Sequence, residues 1–240
     1  MRRSLSYIAV LGLTLVFAVP AAHAQTLDEI LAKNLQAKGG VEKLKETTSV
    51  RMTGKATVQG MDVPITSSVK RPFFMHNEMS MGGQKMVQGF DGTTMWVAMA
   101  GMPAQSLPDG TQIEAMKQNS TFDPMFLDYE NKGHKIKLVG KETDGGKSVH
   151  HILVTTKGGM AFHYYLDAET GLESRFTTTT EMEGMKAELD TRLSNYKTVE
   201  GRTLPFTITQ FMNGNQVVEM KYDKIEFNVP FDDAIFKMAK

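Results

Sequence analysis

The chain contains no cysteine. That absence excludes disulfides and a thiol nucleophile. It also removes the cysteine that a bacterial lipoprotein needs at its processed amino terminus. An excess of charge of either sign is missing too, with 27 basic and 27 acidic residues. A nucleic-acid binder needs a basic footprint, so that class is excluded. A strong pull toward an anionic membrane surface is excluded for the same reason. No G-x-S-x-G occurs, and no glycine loop follows a strand to open a helix around a phosphate. After residue 24, no apolar run approaches membrane-spanning length.

The first 24 residues read as a leader. "MRRSLSYIAVLGLTLVFAVPAAHA" places Arg2 and Arg3 before an apolar stretch from Tyr7 to Val19, and ends on Ala22-His23-Ala24. This is the charged, apolar and small-residue order of a secretory signal peptide, with cleavage expected after Ala24. The exported chain would be one domain, residues 25–240, without lipid or disulfides and with a net charge of −2. Its compartment would tolerate disulfides.

The remaining sequence has mainly period-two texture. Thr26 and Glu29 stand at capping-box spacing before the stripe Leu27, Ile30, Leu31 and Leu35, and Gly39-Gly40 ends that helix. "SVRMTGKATV" then alternates as a half-buried antiparallel strand does. Similar runs follow, punctuated by Gly82-Gly83, Asp91-Gly92, Glu200-Gly201 and Asn213-Gly214-Asn215. From Gly101 to Gly133 the alternation breaks. Thr111 and Glu114 there suggest a second capped helix, and "TFDPMFLDYENKG" is aromatic and irregular. "FDDAIFKM" reads as a short terminal helix capped by Asp232-Asp233. The expectation is a mainly β protein of about 11–12 strands in one curved antiparallel sheet, because so wide a sheet curls or nearly closes. A two-sheet sandwich around a filled core is the other arrangement.

Catalytic residues are sparse. His150 and His151 are adjacent on a strand, so alternation sends them to opposite faces. His163, on the next strand, is open to a cross-hairpin meeting with His151, although surface positions are the simpler expectation. Asp167 and Glu169 in "LDAETG" read as turn chemistry. No enzyme, cofactor or metal is expected.

The distinctive feature is methionine. The chain has 18, and nine of them fall between Met75 and Met125. Soft, unbranched thioethers fill irregular cores, but they also suit a surface that accepts a variable apolar partner. The candidate cavity wall is Met52, Val63, Ile65, Phe73, Met75, Met79, Met81, Met86, Phe90, Met95, Val97 and Met99. The interrupting segment, with Ile113, Met116, Phe122, Met125 and Phe126, is the candidate lid. Each buried CH₂ of an acyl chain contributes about 0.8 kcal/mol. A carrier must also release its cargo, and opening a lid offsets part of that gain.

"ILAKNLQAKGGVEKLKETTSVRMTG", "QGFDGTTMWV", "KLVGKETDGGKSVHHILVTTKGG", "YYLDAETGLESR" and "FNVPFDDAIFKM" together resemble the LolA/LolB-like superfamily, in particular outer-membrane lipoprotein-sorting proteins. The resemblance implies an unclosed β-barrel with helices at its mouth and an apolar cavity for acyl chains. It implies a monomeric periplasmic carrier of lipoproteins or lipids, served by membrane-bound donor and acceptor proteins. An envelope lipid sensor without transfer activity, like RseB, is the alternative. It also implies an arginine that holds the lid, for which Arg51 and Arg71 are the candidates.

Overall fold

A computed structural model describes residues 25–106, 117, 121–182 and 185–238. The expected leader, the Thr111–Glu114 cap, and the lid candidates Ile113 and Met116 lie outside these residues, as does the side chain of Met81.

Helix α1 (Leu27–Ala37) starts where its capping box predicts. The Thr26 hydroxyl accepts from the Glu29 N–H at 3.3 Å, and the Glu29 carboxylate accepts from the Thr26 N–H at 2.8 Å. Gly39 and Gly40, both at positive φ, end it. The short helix α2 (Val41–Glu46) follows. Then come β1 (Ser49–Val58), β2 (Met61–Lys70), β3 (Phe74–Met81), β4 (Gln84–Asp91), β5 (Met95–Met99) and β6 (Gln105–Ser106). After the interrupting segment come β7 (Lys135–Asp144), β8 (Lys147–Thr155), β9 (Ala161–Asp167), β10 (Glu173–Met182), β11 (Met185–Val199), β12 (Arg202–Met212) and β13 (Asn215–Phe227). A 3-10 turn, Asp233–Phe236, closes the described chain, with Asp232 accepting from the Ala234 N–H.

All 13 strands form one sheet in the order β6-β5-β4-β3-β2-β1-β13-β12-β11-β10-β9-β8-β7. Every pairing is antiparallel, and the sheet is not closed into a barrel. That excludes the two-sheet sandwich. The thirteenth strand is β6, two residues within the stretch expected to be loop, where Gln105 pairs with Val97.

Register defines which side chains share a face, because directly opposed residues point the same way. One ladder runs Leu138, Ile152, Tyr164, Phe176, Thr191, Gln210, Val218, Val58 and Met61, from β7 to β2. A second continues on the same face through Ile65, Met79, Met86 and Met99. This inner face carries the core. Ile30 and Leu31 of α1 pack with Phe126, Ile152, Val154, Phe162, Tyr164 and Leu166. A second cluster joins Val50, Ala56, Val63 and Ile65 to Phe206, Tyr222, Ile225 and Phe227. Below α1, the Lys38 ammonium meets the buried Glu173 carboxylate at 2.8 Å.

The outer face is covered at one end by the chain after β13. Phe236 is fully buried and stacks on Phe74, with ring centroids 5.4 Å apart. Its carbonyl accepts from the Trp96 indole N–H at 2.8 Å. Trp96 lies against Gly89, where an added Cβ would stand 2.2 Å from the indole ring, so only glycine admits that packing. The Arg51 guanidinium sits 4.8 Å over the Phe231 ring in the same strap.

Candidate functional site

The register brings the candidate wall together. Three ladders cross β2 to β5 on the inner face. They are Val69–Met75–Phe90–Met95, Ser67–Asn77–Gln88–Val97 and Ile65–Met79–Met86–Met99. Met52 and Val63 share that face through their pairing with Ser67 and Ala56. Met81 occupies a position of the same parity, opposite Gln84. Phe73 does not join the ladders. It lies in the turn before β3 and is 37% exposed.

Burial divides the wall in two. Val63, Ile65, Met75 and Phe90 are buried within the described core. Met52, Met79, Met86, Met95 and Val97 are half-buried, and Met99 is 45% exposed. The incompletely covered part is therefore nearly all thioether. A band of neutral polar side chains, Ser67, Asn77 and Gln88, crosses it at one level, with the Ser67 hydroxyl 2.6 Å from Asn77 Oδ1.

The interrupting segment reaches the same face. Phe122 packs against the β1–β2 and β12–β13 cluster, and also against Val69, Met75 and Phe90. Met125 is partly buried beside α1's cluster, and Phe126 and Leu127 are each only 2% exposed. This part of the segment is seated rather than loose.

One latch holds it. Arg71, between β2 and β3, donates two hydrogen bonds of 2.6 Å to the two carboxylate oxygens of Asp123. The same guanidinium donates to the Thr47 carbonyl at 2.6 Å and to the Leu44 carbonyl at 3.1 Å, and lies 5.1 Å over the Phe122 ring. A planar fork of five donors makes this possible; a lysine could not reproduce it. Nearby, burial holds the Lys132 ammonium below its usual range, against the opposing pull of Asp123 and Asp128. Lys45 and Asp128 pair at 2.9 Å. Of the two candidate arginines, Arg71 touches the interrupting segment, whereas Arg51 binds the outer strap. The Arg71–Asp123 contact spans 52 positions, and no local motif in the sequence announces it.

Asp167 accepts from the N–H groups of Glu169 and Thr170, as its turn reading requires. His151 and His163 do meet, at 2.8 Å, contrary to the expectation of separate surface histidines. Among the described residues, no group of three or more His, Asp or Glu side chains is arranged to hold a metal ion. A cleft of about 480 Å³ at the α1–α2 junction, lined by Gln36, Val41, Glu42, Lys43 and Glu46 with Gly39 and Gly40, offers mixed charge away from the methionine ladders.

No family model and no curated relative matches the sequence. Solved structures do match the fold. A DUF1329 family protein from Desulfovibrio piger aligns with a TM-score of 0.59 at 11% identity, over 88% of this chain and 97% of its own. A putative outer membrane lipoprotein-sorting protein domain from Vibrio parahaemolyticus aligns at 0.57 and 10% identity, over 87% and 94%. A LolA superfamily protein from Nitrosomonas europaea aligns at 0.55 and 13% identity, over 89% and 98%.

Proposed function

We propose that this chain, which has the fold of LolA-superfamily proteins, binds acyl chains of lipoproteins or lipids against its methionine wall and carries them across the periplasm. The observation that carries this reading is the inner face of β2–β5. Four half-buried or exposed thioethers, Met79, Met86, Met95 and Met99, line it, Met52 of the adjacent β1 extends it, and Phe122 of the latched segment packs against it. Methionine side chains repack around chains of differing length at little strain. The Arg71–Asp123 latch gives a defined point of opening, because this two-bonded pair joins the seated segment to the β2–β3 turn, beside the more exposed Lys45–Asp128 pair. Nothing in this arrangement needs a reactive group, so the reading is a binding protein rather than an enzyme.

The test is purification from the native host, followed by mass spectrometry of extracted ligand. Co-purifying acylated molecules, displaced by a fluorescent fatty acid, are the expected result. Lipid-free protein that also refuses added lipids and lipoproteins overturns the proposal. A ligand that binds but never transfers to acceptor membranes, together with a stable membrane-protein partner, points instead to a lipid sensor.

A further inference from the structure

Two histidines that the candidate wall does not use, His151 and His163, meet on the opposite face. His150 and His151 part company as strand alternation dictates. His150 lies 3.0 Å from Gln25 on the inner side, while His151 faces outward. There, His151 Nδ1 is 2.6 Å from Glu142 Oε1, and its Nε2 is 2.8 Å from His163 Nδ1. The three residues come from three adjacent strands, β7, β8 and β9. The Tyr165 ring stacks on His151 at 4.7 Å and fixes its plane.

The carboxylate decides the tautomer. An ionised Glu142 only accepts, so His151 Nδ1 carries the proton and Nε2 presents its lone pair toward His163. His163 Nδ1 then donates its proton to that lone pair, so the two rings share one hydrogen bond. A carboxylate on the far nitrogen of an imidazole is the arrangement that orients a metal-binding histidine and raises its basicity.

We infer that His151 Nε2 and His163 Nδ1 form a two-imidazole site for a divalent transition-metal ion, Cu²⁺ foremost, with Glu142 as the positioning carboxylate. Binding requires only that the His163 proton move from Nδ1 to Nε2, so two lone pairs face the ion with no net proton change. With metal–nitrogen bonds of about 2.0 Å, two ligands at right angles stand about 2.8 Å apart, the tetragonal geometry Cu²⁺ prefers. The observed 2.8 Å therefore fits with ring tilting alone. A tetrahedral Zn²⁺ needs about 3.3 Å and must spread the pair. The β7 side of His151 is open. The β7 bulge between Leu138 and Gly140 sets Gly140 opposite His151, and an added Cβ there would meet nothing within 4 Å. On the same face, Arg175, stacked over Tyr165, is already paired with Asp144 at 3.3 Å and Asp190 at 3.2 Å.

The experiment is Cu²⁺ titration of the tag-free protein, read by calorimetry and by electron paramagnetic resonance. The expected result is one ion per chain with hyperfine coupling to two imidazole nitrogens. His151→Ala and His163→Ala each weaken binding at least about tenfold, and Glu142→Gln weakens it about tenfold while leaving both imidazoles in the spectrum. His134→Ala leaves it unchanged, and Zn²⁺ binds more weakly than Cu²⁺. Thermal melts of each variant check folding, and the wild-type spectrum stands without any variant. Absence of bound Cu²⁺ in the wild type overturns the inference. So does affinity that survives both histidine substitutions, which would place the ion elsewhere.

Discussion

Replacing Asp123 by alanine removes the partner of a guanidinium that stays in place on the Thr47 and Leu44 carbonyls. Two charge-assisted hydrogen bonds of 2.6 Å are lost together. Such bonds contribute about 1.5–3 kcal/mol each when desolvated. The Asp123 side chain is 11% exposed, which favours the upper end, but that of Arg71 is 35% exposed, and exposed pairs contribute only about 0–1 kcal/mol. The screened pair should couple by about 1–2 kcal/mol. Arg71→Ala should cost more than Asp123→Ala, about 3 against about 2 kcal/mol, because it also strips two backbone carbonyls and the Phe122 face. A double-mutant cycle in urea measures the coupling, and amide hydrogen exchange over residues 121–133 reads the latch directly. Coupling below about 0.3 kcal/mol, within ordinary additivity, refutes the reasoning. So does unchanged exchange over that segment in Asp123→Ala, because an intact latch is then not what seats it.

Met95→Glu and Met99→Glu should melt near the wild type yet fail to bind a fluorescent fatty acid, whereas Phe90→Glu, in a fully buried position, should unfold the domain; collapse of both methionine variants makes the wall dry core. Gly89→Ala drives a methyl into the Trp96 ring and should cost about 1–3 kcal/mol with a shift in tryptophan emission. Lys38→Ala leaves the Glu173 carboxylate, 4% exposed, without its cation and should cost about 3–5 kcal/mol by urea denaturation. Burial holds His76, His134, His150 and His163 below the usual histidine range, so the unfolded chain binds more protons near pH 6. Stability should therefore be full above about pH 6.5 and fall as pH drops below it; a Tm at pH 5.5 equal to that at pH 7.5 contradicts this.

Alternation in the sequence placed most of the candidate wall on one face because period two is local. Once Gly82-Gly83 and Asp91-Gly92 are turns, Met79, Met86 and Met99 must oppose one another. The same logic misplaced Phe73. The turn after β2 extends through it, so β3 opens on Phe74, which faces outward to Phe236. Long-range pairings left no such trace. Arg71 and Asp123 meet through the path of the interrupting segment, and Trp96 meets Phe236 across 140 positions. The His151–His163 contact is diagonal across a hairpin. It depends on register and on side-chain torsions that composition does not encode.

The neighbour relation between β1 and β13 makes the chain a cyclically shifted meander. Strands β1 to β6 fold back one after another, as do β7 to β13, and among the described strand pairings only the central seam joins residues far apart in sequence. Each half can assemble from adjacent hairpins, so the entropy of closing a long loop falls mainly on the docking of the two halves. The Asn228 side-chain oxygen accepts from the Thr48 N–H, and the Asn228 backbone N–H donates to the Ser49 carbonyl, so the ends of the seam already touch. A permuted chain opened after β6, with the old ends linked through α1 and α2, would turn the seam into one more local connection. It should refold faster than the native order while reaching the same sheet.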